Sequence, residues 1–328
     1  MSNDNEHHVV MSDADTDPEP FVETAVGAHI YNMDDFDDDS EEIDLTHGRF
    51  TEVPTLARFT KIKIFCMRQN LLKSITNLQP CVTLTSLDLY DNQIEAISGL
   101  ETLVNLEHLD LSYNRIREIK GLENLSKLKI LYLVSNKITK ISGLDAQTEL
   151  TTLELGSNRI RVIENIGHMT KLEQLYLGKN KITKLQNLDK LIGLSTLSIS
   201  ANRLTQIENI EQLTNLEELH ISENGLSALS GLDKNVNLTM IDAAQNRLTD
   251  ISGVSCLPKL EDLWCNDNQI SSWSDVESAL KGLSALQTVY FEHNPIQKED
   301  RTAYRRKMML VLPQVNQVDA ITCRPHDE

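Results

Sequence analysis

Ser198, His220 and Asp242 are the side-chain types of a hydrolytic triad, and they recur 22 residues apart. A serine attacks only when a base takes its proton and donors receive the developing oxyanion. Spaced by one structural unit, these three stand in a column on an open strand surface, which offers neither an oxyanion hole nor a pocket. Asp13, Asp15 and Asp17 alternate as in a calcium loop, but Pro18 stands where that loop needs glycine and no glutamate closes it. His7-His8 is too short to argue for a metal, and Asp34 to Asp39 reads as a solvated charge run. The cysteines, Cys66, Cys81, Cys256, Cys265 and Cys323, are odd in number and form no Cys-x-x-Cys pair. They read as reduced thiols. No phosphate-cradling glycine loop is present. The expectation is a protein that is not an enzyme and needs neither cofactor nor metal.

Recognition chemistry is better represented in the same column. At 22-residue steps, with a longer last one, it reads Cys66, Asp88, Asp110, Tyr132, Glu154, Tyr176, Ser198, His220, Asp242, Trp264 and Tyr290. Four of these are acidic, four are aromatic and none is Lys or Arg. Neighbouring columns add Glu218, Asp262 and Glu292, with Arg68 as their base. Solubility explains the acids but not a tryptophan and three tyrosines in one line. Trp and Tyr are the residues enriched at interface hot spots, and acids around them suit a partner that presents Lys or Arg. A separate basic stripe, Arg115, Lys137, Arg159, Lys181, Arg203 and Arg247, has no interleaved aromatics. It reads as a solvated rim rather than a nucleic-acid site.

The elements that position this column are set by asparagines. Ten of them, from Asn70 to Asn268, follow one another every 22 residues, and Asn294 comes 26 later. Around each the same frame returns: Leu84, Leu87, Leu89, Asn92, Ile94, and again Leu106, Leu109, Leu111, Asn114, Ile116. This L-x-x-L-x-L-x-x-N-x-I pattern is the leucine-rich-repeat signature. Leucines two apart point to one face of a strand. The asparagine can satisfy backbone groups where the strand bends, and stacked asparagines can form a ladder. Ile97, Leu100 and Leu103 then carry the chain back in steps of three, suited to 3₁₀ or short helical turns. The fold expected is α/β: a right-handed solenoid of about eleven 22-residue repeats, with a parallel sheet roughly 48 Å long on its concave face. Gln147 and Asn235 interrupt the apolar return segments and suggest local loosening of the outer layer.

An open solenoid needs closed ends. Ile43 to Phe59 is expected to cover the first unit. Beyond the last, Lys298 to Leu310 looks helical, with Tyr304, Met308 and Val311 as apolar anchors, before Pro313 forces extended chain. The organisation expected is an acidic, disordered tail over residues 1–42, the solenoid with its N-terminal capping segment over 43–296, and a helical C-terminal cap over 297–328. The net charge of −18 belongs mostly to the tail, since residues 1–48 hold 15 Asp/Glu and no Lys or Arg. The sequence has no run of 18 apolar residues, and its first residues lack a basic-then-apolar leader. No membrane association is expected, and the default location is nuclear or cytosolic.

The strict unit, the return segments Ile97-Ser98-Gly99-Leu100 and Ile119-Lys120-Gly121-Leu122, and the Tyr304/Leu312-Pro313 cap support a closer comparison. Together with the acidic leader, they resemble the leucine-rich-repeat regulatory subunits of type-1 serine/threonine protein phosphatase, the sds-twenty-two family, over about residues 43–328. The resemblance implies a nuclear and cytoplasmic protein, active in mitosis, that docks the phosphatase catalytic subunit on its concave face. A further inhibitor protein can join in a ternary complex, and the metal ions belong to the partner. Family contacts are acids and aromatics on successive strands, matched here by Asp110, Tyr132, Glu154, Tyr176, Asp242, Asp262, Trp264 and Tyr290. His220, in the same column, completes the expected partner-binding set. Tyr132 and Tyr176 stand where phenylalanine-like contacts are expected, so their hydroxyls must be accommodated. The alternative is a scaffold of a ribonucleoprotein or other nuclear complex, binding through the basic stripe.

Overall fold

The computed structural model describes residues 31–323. Among these, fourteen strands form one sheet in chain order. A first strand, β1 (Glu42–Asp44), precedes the repeats. The repeats supply β2 (Ile64–Cys66), β3 (Ser86–Asp88), β4 (His108–Asp110), β5 (Ile130–Tyr132), β6 (Thr152–Glu154) and β7 (Gln174–Tyr176). They continue with β8 (Thr196–Ser198), β9 (Glu218–His220), β10 (Met240–Asp242), β11 (Asp262–Trp264) and β12 (Thr288–Tyr290). Pairing is parallel and in register with the repeat, Leu87 against Leu109, Leu109 against Leu131, and Leu131 against Leu153. These inward leucines are at most 1% exposed. Burial stabilises each by roughly 1.5–3 kcal/mol, but only a neighbouring turn can cover it, so the turns hold together only as a stack.

The return path is built of turns. Leu103 N–H donates to Leu100 C=O (2.9 Å) and Leu106 N–H to Leu103 C=O (3.0 Å), the closures expected from steps of three. From Asn77 to Gly231 each return segment passes through a left-handed residue, which is why that place holds glycine or asparagine. Gly99 has φ +74°, and a Cβ on it would lie 2.6 Å from the Ile75 carbonyl oxygen. Asn165 takes the same place with φ 58° and donates its amide to Ile141 C=O at 2.7 Å. Regular helix is sparse: α1 (Trp273–Leu280) takes up the longer step between Asn268 and Asn294.

The asparagines form a continuous ladder. Asn158 is typical: its amide donates to Leu133 C=O in the preceding turn (2.9 Å) and to Leu155 and Gly156 C=O in its own (3.1 Å each). Its Oδ1 accepts from Ile138 N–H of the preceding turn (3.0 Å). Every rung thus ties its turn to the one before.

Gln147 and Asn235 do not loosen the outer layer. Both are fully buried where most other turns carry leucine. Gln147 donates to the carbonyls of Leu122 (2.7 Å) and Leu125 (3.3 Å), and Asn235 to those of Ile210 and Leu213 (2.9 Å each). Burial of a polar chain here is possible because backbone acceptors of the preceding turn lie within reach. The device is half satisfied, since Gln147 Oε1 and Asn235 Oδ1 are buried without a hydrogen-bond partner. Gln147→Leu removes one such oxygen and restores the apolar contact. It is expected to stabilise the fold by about 1–2 kcal/mol, read as a higher denaturation midpoint. A lower midpoint would show that the two donated bonds outweigh the orphaned oxygen.

Both caps are present, with two revisions. Ile43, Leu45, Val53, Leu56 and Phe59 are buried at the positions that Phe65, Met67, Ile75, Leu78 and Cys81 occupy 22 residues on. The N-terminal cap is therefore a degenerate turn, with Gly48 where the ladder would have asparagine. Disorder was expected through residue 42, yet residues 31–42 are ordered against this turn. Tyr31 O–H donates to Thr46 C=O (2.7 Å), Phe36 meets Phe59 edge-on, and Arg58 pairs with Asp38 (2.7 Å) while also donating to the Met33 and Phe36 carbonyls. Three aromatic or sulfur anchors and one arginine overcome a composition that by itself favours solvent. The rest of that expectation, with His7-His8 and Asp13 to Asp17, lies outside the described residues. At the other end the helix expected over Lys298 to Leu310 is divided into α2 (Pro295–Lys298) and α3 (Tyr304–Val311). Asp300 causes the restart, accepting from Ala303 N–H with its side chain (3.0 Å). Tyr304 and Met308 are buried, and Val311 packs at the margin of the core. The chain then adds β13 (Gln317–Val318) parallel to β12 and β14 (Ile321–Thr322) antiparallel to β13.

Candidate interaction face

Strand alternation sends one residue of each repeat strand's centre inward and its neighbours onto the open face. The register places Asp110, Tyr132, Glu154 and Tyr176 side by side on β4 to β7. It likewise aligns His220, Asp242, Trp264 and Tyr290 on β9 to β12. Asp262 stands in the adjoining column on β11. At about 4.8 Å per strand, the line from Asp110 to Tyr290 is roughly 38 Å long.

The first half of this line is acidic and half-buried. Burial raises the Asp110 carboxyl above its ordinary value, against the Ser112 N–H bond (2.8 Å) and with the charge of Asp88 adding to the rise. Burial raises Glu154 as well, helped by Asp110. The Tyr132 and Tyr176 phenols are raised first by burial and then by neighbouring carboxylates, Glu154 and Asp110 for Tyr132, Glu218 and Glu154 for Tyr176. Two half-buried carboxylates with the Tyr132 ring between them suit a cation, and Arg68 already lies 3.6 Å from Asp110. At the far end, the Trp264 and Tyr290 rings lie 5.5 Å apart, Trp264 is 37% exposed, and Gln317 donates to the Tyr290 hydroxyl (2.9 Å). That end offers an anchored aromatic platform.

The raised Glu154 value has a thermodynamic consequence. A carboxyl with a folded-state pKa above its unfolded one stabilises the fold at low pH and loses that contribution as pH rises through the folded value. Glu154→Gln is therefore expected to raise the melting temperature at neutral pH, with the gain disappearing in acid. A gain that did not change with pH would exclude charge burial as its cause.

The Ser198, His220 and Asp242 column is in register but does not assemble a triad. His220 lies against Glu218 (3.4 Å) instead of Asp242. Asp242 accepts from the Ser222 hydroxyl (2.7 Å) and from Ala244 N–H (3.1 Å). Among the described residues no group of three or more His, Cys, Asp or Glu could hold a metal ion, and no helix is long and apolar enough to cross a membrane.

Sequence reading missed a second cluster on this face. Arg68 pairs with Asp88 (2.5 Å) and Asp110 (3.6 Å) and lies over the Tyr90 ring at 5.1 Å. Tyr90 in turn meets the Tyr113 ring at 4.9 Å, tilted by 48°. The signal was available, because period two continues beyond the strand to Tyr90, two residues after Asp88. Tyr113 was not readable this way, since it sits at the left-handed residue before the ladder asparagine (φ 55°). The pairing makes the first strands less acidic than a count of carboxylates suggests.

A stack of identical turns with its variable side chains on one sheet face defines a repeat scaffold. The family model for leucine-rich repeats (2 copies) matches residues 82–116, 104–146, 148–190, 192–234 and 236–278, and the chain belongs to the leucine-rich-repeat family. Within it, the chain is similar to the protein phosphatase 1 regulatory subunit SDS22 homolog of Caenorhabditis elegans, at 51% identity over 94 residues, 28% of each chain. It is 54% identical over 52 residues to human protein phosphatase 1 regulatory subunit 7, covering 16% of this chain and 14% of that one. The Schizosaccharomyces pombe regulatory subunit SDS22 is 52% identical over 46 residues, 14% of each. The matched stretches thus span under a third of these relatives, which carry the names of regulatory rather than catalytic subunits. Solved structures agree on the fold. An internalin (inlF) of Listeria monocytogenes superposes with TM-score 0.70 at 24% identity, covering 86% of this chain and 87% of that one. A leucine-rich-repeat protein of Leptospira interrogans gives 0.65 at 21%, covering 84% and 82%.

Proposed function

We propose that this chain is a non-catalytic regulatory subunit that docks the catalytic subunit of protein phosphatase 1 across the concave, acid-and-aromatic face of its sheet. The observation that carries the proposal is the desolvated pair Asp110 and Glu154 with Tyr132 and Tyr176 beside them, aligned with the exposed Trp264 platform. Desolvated carboxylates gain most from a partner's Lys or Arg, and a tryptophan on a rigid sheet loses little conformational freedom on binding. The relatives' names supply the identity of the partner. Asp242, Asp262 and Tyr290 extend the contact toward the C-terminal cap, and His220 bridges the two acidic groups. In this role the chain modulates the phosphatase's activity, maturation or location, including during mitosis, in the nucleus and the cytoplasm, and a further inhibitor protein can join. The test is capture of purified phosphatase catalytic subunit by the immobilised chain. Stoichiometric capture supports the proposal, and no capture overturns the choice of partner.

A further inference from the structure

The open face does not stop at the last repeat strand. β13 pairs with β12 so that Gln317 stands opposite Thr288, which itself stands opposite Asp262. Strand alternation therefore sends Val318 into the core and Gln317 onto the open side. The backbone here is held firmly, with Gln317 N–H donating to Gln287 C=O (3.0 Å) and Asp319 N–H to Val289 C=O (2.8 Å). Asp319 Oδ1 closes the end by accepting from Phe291 N–H (2.8 Å) and Glu292 N–H (3.1 Å). In an earlier turn the equivalent N–H donates to a carbonyl of the following strand, as Leu89 N–H does to Asp110 C=O (2.9 Å). One carboxylate thus stands in for a further turn and holds β13 against the face.

On this strand the Gln317 side chain makes two bonds from one nitrogen. Nε2 lies 2.8 Å from the Asp319 carbonyl oxygen and 2.9 Å from the Tyr290 hydroxyl. A carbonyl oxygen only accepts, so the atom facing it is the amide nitrogen and not the amide oxygen. That fixes which way the amide is turned. Its second hydrogen goes to Tyr290, whose phenol oxygen accepts it. The phenol keeps one hydrogen of its own to give. Among the described residues no acceptor receives that hydrogen.

Tyr290 differs in this from its counterparts. The Tyr132 and Tyr176 hydroxyls have no hydrogen-bond partner among the described residues. Tyr290 stands between Gln317 on β13 and Trp264 on β11, with the indole ring 5.5 Å away and exposed. Gln317 occupies the acceptor side of its oxygen, so the hydrogen is left for the open face. A hydroxyl that accepts one hydrogen bond also becomes a stronger donor of the next.

We propose, on the reading that this face docks the phosphatase, that Gln317 is a positioning residue of the face. It turns Tyr290 into a hydrogen-bond donor for an acceptor oxygen, carbonyl or carboxylate, of the docked protein. The two ends of the face then have opposite chemistry. Asp110 and Glu154 take cations, whereas the Trp264 and Tyr290 end covers apolar surface and gives one directed hydrogen bond. The C-terminal cap is by this account part of the recognition surface as well as a cover for the core.

Two measurements test this, and the first needs no partner. Ultraviolet resonance Raman difference spectra, each chain minus its Tyr290→Phe counterpart, isolate the Tyr290 ring doublet. Its intensity ratio separates a phenol that accepts from one that donates. The accepting pattern is expected in the wild type and its loss in Gln317→Met. Identical spectra for the two, or a donating pattern in the wild type, overturn the proposal. The second measurement is titration of purified phosphatase catalytic subunit. Tyr290→Phe and Gln317→Met are each expected to weaken binding about ten-fold, and the double variant no more than about twenty-fold. A Gln317 that served only the fold of the cap would cost as much without the hydroxyl as with it. An additive loss of about 100-fold therefore overturns the proposal, as does full affinity in Tyr290→Phe. Absence of capture by the wild type sinks the choice of partner, and the Raman spectra then uphold or overturn the role of Gln317 by themselves.

Discussion

Glu154→Ala combined with Trp264→Ala is expected to abolish capture of the phosphatase catalytic subunit while the solenoid stays folded. Truncating an anchoring interface tryptophan costs about 2 kcal/mol or more, and removing one partner of a half-buried ion pair costs a similar amount. Glu154 is on β6 and Trp264 on β11, five strands or about 24 Å apart, far enough for their effects to add. The sum, about 4 kcal/mol, lowers affinity roughly 1000-fold, against about 30-fold for either change alone. The two single variants should also differ in kind. Glu154→Ala should flatten the salt dependence of binding, and Trp264→Ala should leave it as in wild type. Titration of labelled phosphatase with each variant, after circular dichroism confirms folding, measures all of this. Wild-type affinity in the double variant would place the contact elsewhere on the molecule.

Asn158→Ala is expected to destabilise the solenoid by about 3–5 kcal/mol, although it removes only a small side chain. The ladder explains the size of the effect. Ile138 N–H would lose its acceptor, and the buried carbonyls of Leu133 and Leu155 a donor, in two adjacent turns at once. In a stack whose turns contact only their neighbours, a weak central interface also divides the array. Urea denaturation should therefore show both a lower midpoint and a broader transition. Asn158→Asp preserves shape and the acceptor but faces three carbonyls with a carboxylate oxygen, so it should be no milder. A loss below about 1 kcal/mol for either variant would mean that the ladder is replaceable by solvent.

Most of the fold was legible because one spacing governs it. Inward leucines, the ladder and both caps follow from the 22-residue period and the need to cover open ends. Three of the failures, Gln147, Asn235 and Asp300, share a physical cause, namely that a polar residue's partner is a backbone group no sequence displays. Gln147 and Asn235 looked like defects because the carbonyls they bind belong to the preceding turn. Asp300 looked like a helix residue because its role in restarting α3 depends on Ala303 N–H. His220 and Asp242 looked like a pair by register, yet Glu218 and Ser222 offered nearer partners. For the candidate face, period two placed the column from Asp110 to Tyr290 on the open side of the sheet. What it could not supply was solvation, the burial that raises Asp110 and Glu154. Charge composition also undervalued Tyr31, Met33 and Phe36, whose few contacts order an otherwise acidic stretch.

The reversal of direction at β14 bears on how many copies can join. A solenoid is a screw in miniature, and a screw whose two ends complement each other grows without limit into a filament. Parallel pairing from β1 through β13 makes each exposed edge a template for one more turn of like polarity. β14 presents an antiparallel edge two residues long, and at the opposite end Gly48 supplies no rung for a preceding turn. Among the described residues the two edges of the sheet therefore differ in polarity, so the stack does not repeat its own beginning at its end.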